Sequence, residues 1–306
     1  MNVSNINTVG IIGAGLMGHG IAIQFASKGF KVILNDVSKE RLETSLKNIE
    51  STAEQAKLQT DKILDLINTE NSLDETAINS DFLIEAVFED LNVKRGIFER
   101  LDSICPKDTV LASNTSSFKA SQLAIKCQYP ERIIVANWWN PPHILPLIEV
   151  VKGPQVSAQT VQITMELFRN IGKSPVLLQK ESLGFIGNRM QFALLREAIS
   201  IVENGIATPK EVDEVVKNSF GRRLALAGPF QVFDAAGWDT ILAIANQLFP
   251  DLESSPKEPK LITDMVKNNE LGIKSAKGFY DWDETTISTF RKNISEGLSN
   301  IDKFNE

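Results

Sequence analysis

The stretch that decides the fold runs from Thr8 to Gly20, TVGIIGAGLMGHG. A short β-branched run, VGII, feeds into Gly13, Gly15 and Gly18, and a helix-like IAIQFASKG follows. Three glycines at this spacing carry information when a strand precedes them and a helix follows. Gly13 permits a tight turn, Gly15 lets a backbone approach a pyrophosphate, and Gly18 allows close helix–strand contact. The opening of the helix, at Leu16 and Met17, then offers free amides and a positive dipole end to phosphates. Without a ligand the same residues make only a glycine turn between a strand and a helix.

Outward from this turn, the next strand, KVILND, ends at Asp36, where a βαβ unit places its ribose-binding acid. A carboxylate there accepts from both ribose hydroxyls and repels a 2′-phosphate, so the expected cofactor is NAD, with Lys39 and Arg41 close enough to temper the preference. Residues 38–79 read as polar and helix-like, a long excursion before the strand DFLIEAV. Beyond it, FEDLNVKRGIFERL is a helix entered through Asp90 or Asn92. Glu89 and Lys94 stand at the strand's carboxyl end, where open α/β sheets bind ligands, or else form a capped helix with a solvated lysine. TVLASN, RIIVAN and PLIEVVKG complete an alternating β/α pattern to about residue 180, which implies a doubly wound, mostly parallel sheet.

After PVLLQKESLGFIGNRM the pattern changes to helical spacing, as in MQFALLREAISIVENG. Thr208-Pro209-Lys210-Glu211 is a capping box with proline at the first helical position. Gly205 and Gly237 fall at helix ends. The expected organisation is a Rossmann-type NAD-binding domain over residues 1–186 and an all-α domain over 187–306 that serves substrate binding or dimerisation.

The composition fits this reading. At 306 residues, 42% hydrophobic and 23% charged, the chain suits two modest globular domains. A net charge of -7 disfavours nucleic acid or an anionic membrane as partner. Cys105 and Cys127 lack metal-ligand spacing, so no metal is expected, and they fit a reducing compartment. The start lacks a signal peptide's features and no apolar run spans a bilayer, so a cytoplasmic location is expected.

Taken together, GAGLMGHGIA, EAVFEDLNVKRGIF, SNTSS, NPP…LIEVVKG, GFIGNRM and GIKSAKGFYDW resemble the 3-hydroxyacyl-CoA dehydrogenase family over nearly the whole chain. NPP followed by LPLIEV resembles the branch acting on small non-thioester substrates, such as L-gulonate 3-dehydrogenase and pyridine-alcohol dehydrogenase. The resemblance implies a homodimeric oxidoreductase that moves hydride between an alcohol and nicotinamide, with a His–Glu pair handling the hydroxyl proton. By motif Glu149 takes the glutamate position, Ser116 and Asn188 hold the substrate oxygen, and Glu89, Lys94, Ser116 and Asn140 hold the nicotinamide half of the cofactor.

The family's histidine falls three residues before the NP and twelve before the glutamate, and Asn137 stands there. Asparagine donates and accepts hydrogen bonds but does not titrate near neutrality. Three explanations stay open: an engineered variant, a non-catalytic NAD(H)-binding protein, or a proton carried by another group. His143 lies six residues before Glu149 and reads as a loop residue near the substrate; His19 lies in the glycine turn. Of the adjacent Trp138 and Trp139, one is expected in the core and the other at the pocket. Basic residues of the polar excursion are diluted by acids, which favours a small hydroxy acid or alcohol over a CoA thioester. Arg189, Arg222 and Arg223 read either as carboxylate ligands or as surface ion pairs.

Overall fold

A computed structural model describes residues 3–302 of the chain. The chain divides into two compact units, between Gly187 and Asn188. The first contains β1 (Thr8–Ile12), α1 (Leu16–Ser27), β2 (Lys31–Asn35), α2 (Lys39–Gln55), α3 (Thr60–Asp65), β3 (Ile67–Glu70), α4 (Leu73–Ile78) and β4 (Phe82–Glu85). It continues through α5 (Leu91–Ile104), β5 (Val110–Ser113), α6 (Ala120–Leu123), β6 (Ile133–Trp138), β7 (Leu147–Val151), α7 (Ala158–Asn170) and β8 (Ser174–Leu178).

These strands form one eight-stranded sheet in the order β3-β2-β1-β4-β5-β6-β7-β8. Every pair is parallel except β6–β7. Every residue of β4, β5 and β6 is buried, as expected for parallel strands covered by helices on both faces. The aromatic core has Phe168 edge-on to both Phe82 and Trp138, with centroids 6.0 and 5.4 Å apart. Trp138 is thus the core tryptophan of the pair.

The fold corrects the sequence reading at one element. β3 lies inside the supposed polar helical excursion, paired to β2 at the sheet edge. Of its residues INTE only Ile67 is buried, so it lacks the apolar run that marks the inner strands. β1 sits between β2 and β4, so the strand order reverses at its carboxyl end, the place where doubly wound sheets bind dinucleotides.

The second unit is helical: α8 (Gly187–Glu203, which begins one residue before it), α9 (Pro209–Asn218), α10 (Phe220–Leu224), α11 (Pro229–Ala236), α12 (Trp238–Leu248), α13 (Lys260–Lys267) and α14 (Glu284–Asp302). Thr208 and Glu211 form the capping box, the glutamate accepting from the Thr208 amide at 2.8 Å. Among its described residues Ile199 is the single buried large apolar side chain.

Candidate active site

At the end of β1 the Gly13 amide donates to the Asn35 carbonyl at 2.7 Å with φ of +107°. A Cβ on Gly13 would sit 2.7 Å from the Ala86 carbonyl oxygen, and one on Gly18 only 1.8 Å from the Gly13 carbonyl oxygen. The turn therefore closes only with glycine at both places. Asp36, just past β2, is buried and accepts from the Ala14 amide at 3.1 Å and the Ser38 amide at 3.0 Å. It is locked to the glycine turn it serves.

α1 starts at Leu16 with Gly15 as its cap residue, so no side chain satisfies the first amides. A Cβ on Gly15 would meet nothing within 4 Å, leaving open space beside those donors. Two exposed apolar side chains, Leu16 and Val37, stand at the ends of the neighbouring strands. An uncapped helix start, an open cradle and a carboxylate one strand away fit a dinucleotide. Gly13, Gly15, Leu16, Met17, Gly18 and Asp36 are the residues that would hold it.

A second group forms at the ends of β4 and β5. Lys94 is fully buried, and its ammonium donates to Glu85 Oε1 at 2.6 Å and the Val87 carbonyl at 3.2 Å, and pairs with Glu89 Oε2 at 3.2 Å. Glu89 also accepts from the Thr115 hydroxyl and from the Ser117 amide. The loop SNTSS is thereby gripped on both sides of Ser116. Asn114 accepts from the Trp138 amide at 2.8 Å, which ties the loop to β6 beside Asn137. Ser116 is half-buried, and its hydroxyl has no hydrogen-bond partner among the described residues.

The third group is built on the antiparallel pair, where Asn137 and Glu149 face each other in register. Both are buried. Asn137 Nδ2 donates to Glu149 Oε2 at 3.0 Å and the Trp139 indole N–H to the same oxygen at 3.2 Å. The other oxygen accepts from the amides of Ile186 and Gly187, at 2.8 and 2.9 Å, at the start of α8. Four neutral donors converge on one buried carboxylate, which satisfies its demand without a cation. Because a carboxylate here only accepts, Nδ2 of Asn137 must face it. Oδ1 of Asn137 accepts from none of the described residues.

His143 belongs to different surroundings. Its loop is tied down by Lys173, whose ammonium donates to the carbonyls of Pro142 and Leu145 at 2.7 and 3.0 Å. The ring packs over Gly20 of α1, and its Nδ1 is buried without a partner. Burial, then the neighbouring His19 and Lys173, push its pKa down to about 4, so it is neutral near neutrality. Burial also holds His19 below the usual histidine value, against the pull of its hydrogen bond to the Gly15 carbonyl. Neither ring contacts Glu149 in the described hydrogen bonds.

Asn140 is exposed beyond the end of β6, and its bond to Pro141 is cis. Asn188, Arg189, Arg222 and Arg223 lie in the second unit, Asn188 half-buried as the second residue of α8. Sequence reasoning passed over Glu85, the Trp139 N–H, and the Ile186 and Gly187 amides. Glu85 did leave a signal: like Glu149, it is a lone carboxylate in an apolar strand.

Residues 8–182 match the model of the 3-hydroxyacyl-CoA dehydrogenase NAD binding domain, and residues 184–282 that of the family's C-terminal domain. The chain belongs to the 3-hydroxyacyl-CoA dehydrogenase family. Its cofactor is NAD, and it is an oxidoreductase of the type that acts on CH–OH groups. A 5-formyl-3-hydroxy-2-methylpyridine 4-carboxylate 5-dehydrogenase of Mesorhizobium japonicum is 32% identical over 279 residues, 90% of each chain. A probable 3-hydroxybutyryl-CoA dehydrogenase of Bacillus subtilis is 36% identical over 289 residues, 92% of this chain and 99% of its own. A solved 5-formyl-3-hydroxy-2-methylpyridine 4-carboxylic acid 5-dehydrogenase, described as an NAD+-dependent dismutase, superposes with a TM-score of 0.91 at 30% identity and 98% coverage of both chains. Among the described residues no helix is long and apolar enough to cross a membrane.

Proposed function

We propose that this family member moves hydride between a small hydroxy acid or alcohol and NAD, with water carrying the hydroxyl proton. One observation carries the reading. The Glu149 site is built and fully satisfied, but the group it presents toward substrate is the Asn137 amide, which holds an oxygen and takes no proton. When bound, NAD supplies the hydride acceptor. Ser116 and the Oδ1 of Asn137 are the groups free to hold the substrate hydroxyl.

Asp36 and the glycine turn bind the adenosine and pyrophosphate, while Glu89, Asn140 and Ser116 serve the nicotinamide half. Lys94 serves it through Glu89, since its own donors are spent within the protein. Asn188 is assigned to the substrate oxygen by motif. The small-substrate reading draws on the close superposition with the pyridine-carboxylate enzyme.

The test is NADH oxidation by the purified chain against a panel of small 3-oxo acids, aldehydes and acetoacetyl-CoA. Slow but measurable turnover is expected on a small carbonyl acid and less on the thioester. Faster turnover on acetoacetyl-CoA would reverse the substrate assignment. Tight NADH binding with no turnover on the panel would favour a non-catalytic binding protein.

The second unit supports a homodimer. It exposes Phe192, Phe230, Trp238, Leu242, Phe249 and Phe290, and among its described residues Ile199 is the single large apolar side chain that is buried. So much apolar surface is unusual for a free monomer and resembles an obligate interface. Sedimentation equilibrium is expected to give a particle of twice the 33.9 kDa chain mass, held down to low protein concentration. A monodisperse monomer would refute the dimer.

A further inference from the structure

Lysine is seldom fully buried without partners, because an unpaired interior charge is costly. Lys94 is 1% exposed, and its three N–H donors meet three oxygens, those of Glu85, Val87 and Glu89. It has no donor left for a ligand. Glu85, also 1% exposed, is the group that makes this burial tolerable. Its carboxylate accepts from Lys94, from the Val87 amide at 2.8 Å and from the Ser113 hydroxyl at 2.6 Å.

The connectivity gives Glu85 a purpose beyond neutralising a charge. Ser113 is its register partner on β5 and the first residue of SNTSS. Glu85 thus grips the loop at residue 113 directly, and through Lys94 it fixes Glu89, which grips residues 115 and 117. Residues 113 and 115 are held by their hydroxyls and 117 by its backbone amide, so the loop is fixed on both sides of Ser116, whose own hydroxyl is left without a partner among the described residues. The sheet order also locates the cluster. A dinucleotide with its adenosine at Asp36 after β2 and its pyrophosphate over β1 continues toward β4 and β5.

We infer that Glu85 is a positioning residue: through Lys94 it holds the Glu89 carboxylate, and with it the Ser116 hydroxyl, at the nicotinamide end of the cofactor site. This rests on the dehydrogenase reading above.

The test compares two probes by fluorescence and calorimetric titration: NADH, and ADP-ribose, which lacks the nicotinamide. Glu85→Gln is expected to weaken NADH by about tenfold or more, the loss of one well-placed charge-assisted contact, and to leave ADP-ribose unchanged. A merely structural role would move both probes or neither, and either pattern in a folded variant overturns the inference. Should Glu85→Gln fail to fold, Glu85→Gln with Lys94→Met removes both charges and leaves no orphaned cation. The double variant is read the same way, and its failure to fold would make the pair structural and overturn the inference too. If the unaltered chain binds no NADH, the dehydrogenase reading falls and takes this inference with it. Selective NADH binding by the unaltered chain, unaffected by Glu85→Gln, sinks the inference alone.

Discussion

Asn137→His is expected to raise turnover on the preferred carbonyl substrate by ~10²–10⁴, the range a positioned general acid or base contributes. The site is ready for the ring. Asn137 faces Glu149 in register on rigid paired strands, and its Nδ2 already donates to the carboxylate at 3.0 Å. An imidazole N–H takes over that bond and leaves the second ring nitrogen for the substrate oxygen. The pH dependence follows with a definite sign. An adjacent carboxylate favours the imidazolium, so the ring titrates above its ordinary ~6.5. Carbonyl reduction needs the protonated ring, and its rate falls as pH rises through that value. Alcohol oxidation needs the neutral ring, and its rate rises through the same range. The unaltered chain should show neither limb, because Asn137 does not titrate and His143 changes charge only near pH 4. Steady-state rates in both directions across pH check this. A folded variant that binds NADH normally and is no faster would show that the proton travels by a route independent of this position.

How much of this was legible in the sequence depends on where each signal resides. The inner strands were readable because burial on both faces makes them continuous apolar runs, as in TVGII and IIVAN, and the glycine turn because Gly13 and Gly18 leave no room for a Cβ. β3 was hidden because an edge strand with one buried residue is mostly polar. Asn137 stood out through family spacing, while its place opposite Glu149 is a matter of strand register. The fate of Lys94 was not readable, since it depends on three oxygens brought together from β4, its following loop and Glu89. His143 lies in a loop, as its sequence suggests, but the surroundings of its ring were not legible. Lys173, thirty residues on, draws its loop toward α1 by binding two of the loop carbonyls, a contact no local pattern announces.

Glu149→Gln should separate what this carboxylate does for the fold from what it does for chemistry. Both oxygens accept from two donors each, so a Gln amide group on either side confronts two N–H groups. On the strand side Asn137 has relief: its amide flips and offers Oδ1, leaving the Trp139 N–H unsatisfied. One orphaned buried donor costs about 1–3 kcal/mol. At about 2–4 °C per kcal/mol for a chain of this size class, the unfolding midpoint should drop by several degrees. Turnover of the unaltered chain should fall by only the effect of exchanging Oδ1 for Nδ2 at the substrate oxygen, because its asparagine draws no basicity from the glutamate. With Asn137→His in place the outcome differs. Facing a Gln amide, the ring pairs through its bare nitrogen and turns its N–H to the substrate, the wrong tautomer for a base, and it loses the anion that favoured its charged form. The gain from Asn137→His should then largely vanish. The four proteins form a double-mutant cycle, and residues in direct contact are expected to be strongly non-additive in rate. Equal slowing by Glu149→Gln in both backgrounds would mean that the carboxylate supports the site's shape alone, and that its pairing with residue 137 has no part in moving the proton.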